Sequence, residues 1–134
     1  MAKKGERTFN YKGEAIVVGQ AMPYGAYLGL PELLACQRPK SAEHDEILFI
    51  IIHQASELWM KLIVHELTAT IADVAAGQLG EAFKKLSRVA RVQAQLIQSW
   101  EVLATLTPAD YLRFRPHLGT ASGLQSHQNR TIEF

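Results

Sequence analysis

His53 is the residue on which chemistry in this sequence would turn. It stands directly after the apolar run Ile47 to Ile52, and on a helix Phe49 lies one turn before it and Glu57 one turn after. An imidazole in such surroundings needs a hydrogen-bond partner. It is therefore either a satisfied core histidine or a group that meets a ligand. Arg115, close in sequence to Tyr111 and Phe114, carries a parallel pair of readings. It is a surface residue beside a buried aromatic, or it is the fork that anchors a substrate carboxylate in an apolar pocket. Between Leu118 and Gly123 runs a loop of small residues, the kind of backbone a ligand can approach closely. Spacing alone leaves each pair open.

Other chemistries fail on pattern. His65-Glu66 begins like a zinc-protease helix, but position 69 is Ala69, so the second histidine is missing. Cys36 is a lone cysteine, which excludes an internal disulfide, offers zinc no thiolate pair and suits a reducing cytoplasm. His53 and Glu57 could touch one ion but are too few to hold it, and His44, His65, His117 and His127 form no ligand cluster by spacing. No phosphate-binding loop or dinucleotide fingerprint occurs, and no glycine brackets Ser56, Ser99 or Ser122 as a nucleophile elbow requires. With 48% apolar and 20% charged residues and a net charge of +1, the chain of 134 residues has the composition of an ordinary soluble protein. It has no field to collect nucleic acid or anionic lipid. The basic start lacks an apolar stretch behind it, so no signal peptide is read and the cytoplasm is the expected location.

The elements that must position these residues are helical. His44 to Leu67 (HDEILFIIIHQASELWMKLIVHEL) reads as one helix, continuing through Val74 to a stop at Gly77. Leu48, Ile51, Ile52, Ala55, Leu58, Leu62 and Leu67 make one apolar line, and Phe49, His53, Glu57 and Met60 a second. Apolar on nearly every side, yet charged at its ends, it is expected in the middle of a bundle rather than across a membrane, with Ser41 as its N-cap. Gly80 opens a second long helix with a one-sided stripe of Leu86, Val89, Gln93, Leu96, Trp100 and Leu103, returning antiparallel. Thr107-Pro108-Ala109-Asp110 starts a brief third helix that Pro116 ends, and Gln125 to Phe134 begins another. Before these come a polar arm over residues 1–22, with one β-like run at Ala15 to Val18, and a short helix at Leu30 to Ala35. The fold class is all-α: a helical bundle built on two long antiparallel helices, with a helical domain over 23–134.

The long segments HDEILFIIIHQASELWMKLIVHEL and SWEVLATLTPADYLRFRPHLGTASGLQS, preceded by YGAYLGLPELLACQ, strongly resemble the N-terminal half of bacterial tryptophan 2,3-dioxygenases. The similarity runs in order from Tyr24 to the end. It implies an all-α, homotetrameric enzyme with haem b, which opens the indole ring of L-tryptophan with O2 to give N-formylkynurenine in the kynurenine pathway. By resemblance, His53 matches the histidine that accepts the indole N–H without ligating iron, and Phe49 the aromatic residue beside the substrate ring. Arg115 matches the arginine on the substrate carboxylate, with Tyr111 assisting. Ser122 and Gly123 match the loop over the haem, and Trp100 and Leu118 apolar wall positions. Tyr24, Tyr27 and Leu28 match a segment that reaches a neighbouring subunit's site.

Departures fall in SGLQSHQNR, where Leu124 replaces a phenylalanine, His127 a leucine and Asn129 an aromatic. The family's haem-ligating proximal histidine is expected downstream of this sequence, so no metal ligand is assigned here. A truncated gene product, a partly read sequence and a short natural relative are all compatible with that pattern. Without the ligand the expectation is a shallow haem site and an exposed apolar face. The alternatives are a non-catalytic helical module that oligomerises or binds an indole, and a relative that oxygenates a different indole.

Overall fold

The computed structural model describes residues 7–11, 14–18 and 24–133, with side chains from residue 24 onward. The chain forms two compact units, Met1–Cys36 and Gln37–Phe134. The boundary expected between residues 22 and 23 lies outside the described residues.

In the first unit, β1 (Arg7–Tyr11) and β2 (Glu14–Val18) pair antiparallel, from Arg7↔Val18 to Tyr11↔Glu14. The β-like run of the sequence thus acquires a partner strand that its own pattern did not announce. Two short helices come next, α1 (Tyr24–Leu28) and α2 (Leu30–Leu34). Gly29 between them has φ 60°, a left-handed conformation that glycine adopts without a Cβ clash.

The second unit is all-α. Its spine is α3 (Glu46–Ala75), 30 residues and about 45 Å long at 1.5 Å per residue, followed by α4 (Leu79–Leu103). The turn between them is chemically specified. Gly77 takes φ 71°, its N–H donates to the Val74 carbonyl at 3.0 Å, and the Gln78 N–H reaches back to Asp73 at 2.8 Å. That pair of bonds satisfies carbonyls which a helix end leaves orphaned. The helices then run antiparallel, because partners descend α3 as they ascend α4. Lys85 pairs with Asp73, Arg88 with Glu66, and Val89 and Val92 pack on Ile63. Leu62, Leu67, Leu96 and Ile132 close around this cluster.

Two expectations about faces are corrected. On α4 the buried positions are Ala82, Val89 and Val92, whereas Leu86 and Trp100 are exposed. The seam follows the residues spaced to meet Ile63, with the half-buried Lys85 among them, and the larger side chains fall on a flank that no described element covers. On α3 the buried side chains are Glu46, Met60, Ile63, Glu66 and Thr70, while Ile51, Leu58, Trp59, Ile71 and Val74 are exposed. A helix apolar all round has no orientation of its own, so polar pairing turns it: Arg88 reaches Glu66 at 2.7 Å. By length and composition α3 would suffice to cross a membrane, and little of its apolar stretch is buried.

The N-cap expectation is also corrected. Asp45, not Ser41, is the N-cap residue, and it makes no side-chain cap bond. Ser41 instead serves Glu46, whose carboxylate, 1% exposed, accepts N–H bonds from Lys40 at 2.7 Å and Ser41 at 2.8 Å and the Ser41 hydroxyl. Burial disfavours that charge, but these donors, helped by nearby His117, hold the Glu46 carboxyl below its usual value.

α5 (Pro108–Phe114) starts as its sequence dictates: the Asp110 N–H donates to Thr107 Oγ1 at 3.2 Å, with Pro108 at the first position. A 3-10 turn, Arg115–Leu118, continues from it. A second, Gly123–Gln125, precedes α6 (His127–Glu133).

Candidate active site

The second unit gathers its aromatic and polar candidates at the N-terminal half of α3. α5 lays Tyr111 and Phe114 against Phe49, with ring centroids 5.7 and 5.5 Å apart, and the two α5 rings meet edge-on at 5.4 Å. Phe114 is fully buried and anchors the group. Such tilted and edge contacts suit the ring quadrupoles. The His53 ring lies 4.2 Å from that of Phe49.

His53 is half-buried rather than enclosed, a correction to the sequence expectation. Its Nδ1 is 2.7 Å from the Phe49 carbonyl oxygen one turn earlier. A carbonyl can only accept, so Nδ1 carries the proton, and in the neutral ring Nε2 is left as a hydrogen-bond acceptor. The ring is thereby oriented with one acceptor to offer.

Two adjoining hollows meet at this residue. One, about 320 Å³, is walled by Ile52, Met60, Leu96, Trp100 and Leu103. The other, about 340 Å³, lies between Phe49, Ile50 and Gln54 of α3 and the loop at Leu118, Ala121 and Ser122. His53, Glu57, Gly123 and Ser126 border both. A Cβ built on Gly123 would meet nothing within 4 Å, so the glycine leaves room rather than relieving a clash. Trp100, 67% exposed, borders the first hollow without being buried by it.

The remaining sequence candidates divide. Leu118 and Ser122 border the second hollow as expected. Ser122 is spent on the loop itself, accepting from the Leu124 N–H while its own N–H donates to Gln125 Oε1 at 3.2 Å. Tyr111 stands behind Phe49 and borders neither hollow. Arg115 also borders neither; its Nη1 donates to the Gly119 carbonyl at 2.9 Å, where Gly119 has φ 58°. That bond uses one of five guanidinium donors. Tyr24, Tyr27 and Leu28 belong to the first unit, the tyrosines 75% and 74% exposed. Of the three departures in SGLQSHQNR, Asn129 borders a hollow, whereas Leu124 and His127 are exposed and border neither.

Sequence reading missed Gln128, which joins α6 to α3 by bonds to the Glu57 carbonyl oxygen and to Glu57 Oε2, each 2.8 Å. Nothing in local spacing could have found a contact spanning 71 residues. Ser56 and Ser99 border the first hollow too, but their hydroxyls donate to the Ile52 and Leu96 carbonyls of their own helices. Among the described residues no group of three or more His, Cys, Asp or Glu side chains is placed to hold a metal ion.

Fold and site together define a class: a helical protein offering a partly open aromatic pocket with one oriented histidine acceptor. The family model for tryptophan 2,3-dioxygenase matches residues 10–134. Over 132 residues the chain is 53% identical to a tryptophan 2,3-dioxygenase of Bacillus thuringiensis (strain Al Hakam), covering 98% of this chain and 47% of that protein. It is 62% identical over 113 residues to one from Exiguobacterium sibiricum, covering 84% and 40% respectively. For one from Polaromonas sp. the identity is 59% over 113 residues, covering 84% and 38%. This chain belongs to the tryptophan 2,3-dioxygenase family, and it spans about half the length of the curated relatives it matches.

Proposed function

We propose that this chain supplies the substrate-side half of a haem-dependent dioxygenase that converts L-tryptophan and O2 to N-formylkynurenine. The observation that carries the reading is the His53 ring, fixed at Nδ1 by the Phe49 carbonyl and bordering both hollows with Nε2 able to accept. An indole N–H is the complementary donor, and Phe49 offers its ring a stacking neighbour. Arg115 takes the substrate carboxylate with donors not used on Gly119, and Tyr111 backs Phe49 from behind. A ring contact at one end and a charged fork at the other select tryptophan by length and by functional group.

The family implies haem b, and the first hollow suits one face of it. Ile52, Met60, Leu96, Trp100 and Leu103 make an apolar wall, Leu118 and Ser122 extend it, and the open space at Gly123 admits a flat macrocycle. Haem, when bound, supplies the iron that activates dioxygen. The chain's own residues orient the indole and keep its surroundings apolar. The iron's protein ligand is assigned to the part of the relatives' length that this chain does not span. Tyr24, Tyr27 and Leu28 are assigned to a neighbouring subunit's site within a cytoplasmic homotetramer. Their exposure, and that of Ile71 and Ile97 on the long helices, is compatible with such an assembly. Glu57 and Glu66, bonded in mid-helix to Gln128 and Arg88, favour a protein-packed α3 over a membrane-spanning one.

Absorption spectra of the chain with haemin, with and without L-tryptophan, test the reading. The expected result is a Soret band distinct from that of free haemin, displaced again by L-tryptophan. His53→Ala abolishes the second displacement, and Arg115→Leu weakens the response to L-tryptophan more than the response to indole. A band like free haemin under all conditions would favour the second reading, a helical module for self-association or indole binding without chemistry. A third reading, oxygenation of another indole, draws on Asn129 at the border of the hollow. Indole-analogue panels in the same assay distinguish it.

A further inference from the structure

The segment from Leu118 to Glu133 forms one wall of both hollows, and most of its hydrogen bonds are internal. Ser122 and Gln125 cap each other, Arg130 Nη2 donates to the Leu124 carbonyl at 2.8 Å, and Asn129 Nδ2 donates to Glu133 Oε1 at 3.3 Å. The apolar attachment of α6 is Ile132, against the Ile63–Val89–Val92 cluster. Its polar attachment is Gln128, whose amide nitrogen donates to the Glu57 carbonyl oxygen and to Glu57 Oε2. A primary amide has two N–H donors, so the bonds use both and fix where the amide sits.

We infer that Gln128 is a positioning residue: by clamping α6 onto Glu57 it sets how far Gly123 and Ser126 stand from His53. Glu57 lies one turn beyond His53 on α3, and these four residues border both hollows. Moving the clamp therefore changes the width of the pocket without touching the imidazole. The burial of Ile132 against the Ile63–Val89–Val92 cluster is non-directional and hydrogen bonds are not, so the Gln128 bonds, rather than the apolar contact, fix how α6 is turned on α3. The significance of that width for a substrate rests on the function proposed above; the clamp itself does not.

The experiment is amide hydrogen exchange on the whole chain, read separately at residues 119–126 and at the far turn of α3 and α4, residues 70–82. Gln128→Leu should speed exchange at 119–126 about tenfold, the effect of losing bonds of ordinary strength, and leave 70–82 at its original rate. Glu57→Leu keeps the backbone acceptor and should give a smaller increase, whereas Glu57→Gln keeps both acceptors and should exchange like the parent. This graded series holds even if Gln128→Leu folds poorly, because the two Glu57 variants retain Gln128. Unchanged exchange at 119–126 in both leucine variants would overturn the inference. So would a rise of equal size at 119–126 and 70–82, which marks general destabilisation. Haemin and L-tryptophan titrations of the same proteins read the consequence: Gln128→Leu should weaken binding about tenfold, in step with exchange. A parent chain that binds neither ligand would count against the proposed function, while exchange still decides the clamp.

Discussion

The two ends of the α3–α4 pair are built differently. Toward the turn at Gly77 the helices complete each other. Ile63 is buried against Val89 and Val92, Glu66 meets Arg88, and Asp73 meets Lys85, whose ammonium this carboxylate holds above the usual lysine range. Toward His53 they part, leaving hollows bordered by a half-buried histidine, an exposed tryptophan and a loop. The first region directs its ionic groups at one another, although Glu66 Oε2 is left buried without a hydrogen bond; in the second, His53 Nδ1 is bonded and Nε2 is the acceptor of the neutral ring. On the function proposed above, one pair of helices separates stability from binding along its length.

The sharpest way to test that separation is a pair of truncations. Ile63→Ala should cost about 2–5 kcal/mol, the range for emptying a packed core site, whereas His53→Ala should stay within about 1 kcal/mol because alanine suits a helix. Urea unfolding of both variants checks this, and equal losses would erase the distinction. Next comes Glu46, which fastens the connector before α3. Glu46→Gln should cost about 1–3 kcal/mol by weakening bonds to a buried charge. Because its folded pKa lies below the value of 4.5 it would have unfolded, the stability it contributes is present above that pH and is lost as pH falls through the lowered pKa. The gap between parent and Glu46→Gln in unfolding experiments should therefore close on acidification.

A smaller effect is expected at the ion pair. Arg88→Met should cost about 1–2 kcal/mol, a value discounted because Arg88 is half exposed, by leaving Glu66 buried without its partner. Glu66→Leu combined with Arg88→Met should recover most of that loss in the same urea series. Smallest of all, Gly123→Ala should change stability by no more than about 0.5 kcal/mol, since a Cβ there meets open space. It should nonetheless weaken haemin binding, and the contrast between those two numbers is what the open end of the molecule predicts.

The helices and their ends are legible in the sequence wherever chemistry is local. Thr107-Pro108 starts α5 and Gly77 ends α3 because a cap or a positive φ is demanded by residues a few positions away. The stacking of Phe49 on His53 follows from helical spacing alone. Distance in the chain conceals the rest. Glu46 looks like an ordinary first-turn acid until Lys40 and Ser41 fold back onto it. Arg115 reads equally as a surface residue or a ligand fork, and its bond to Gly119 depends on a left-handed turn that sequence does not reveal. β1 lacks the apolar run that marks β2, and its pairing is visible only in the ladder. Pattern misplaces the seam of α4 because Leu86 and Trp100 outweigh Ala82 in any apolar count, although geometry buries the alanine.

Everything proposed for the open end depends on His53 presenting Nε2 to an indole N–H. Nitrogen NMR of the His53 ring, with L-tryptophan and then 1-methyl-L-tryptophan at saturating concentration, tests this directly. L-tryptophan should displace the Nε2 resonance while Nδ1, already bonded to the Phe49 carbonyl, stays in place, and the methylated ligand should leave both unmoved. Equal displacement by the two ligands, or none by either, would contradict it.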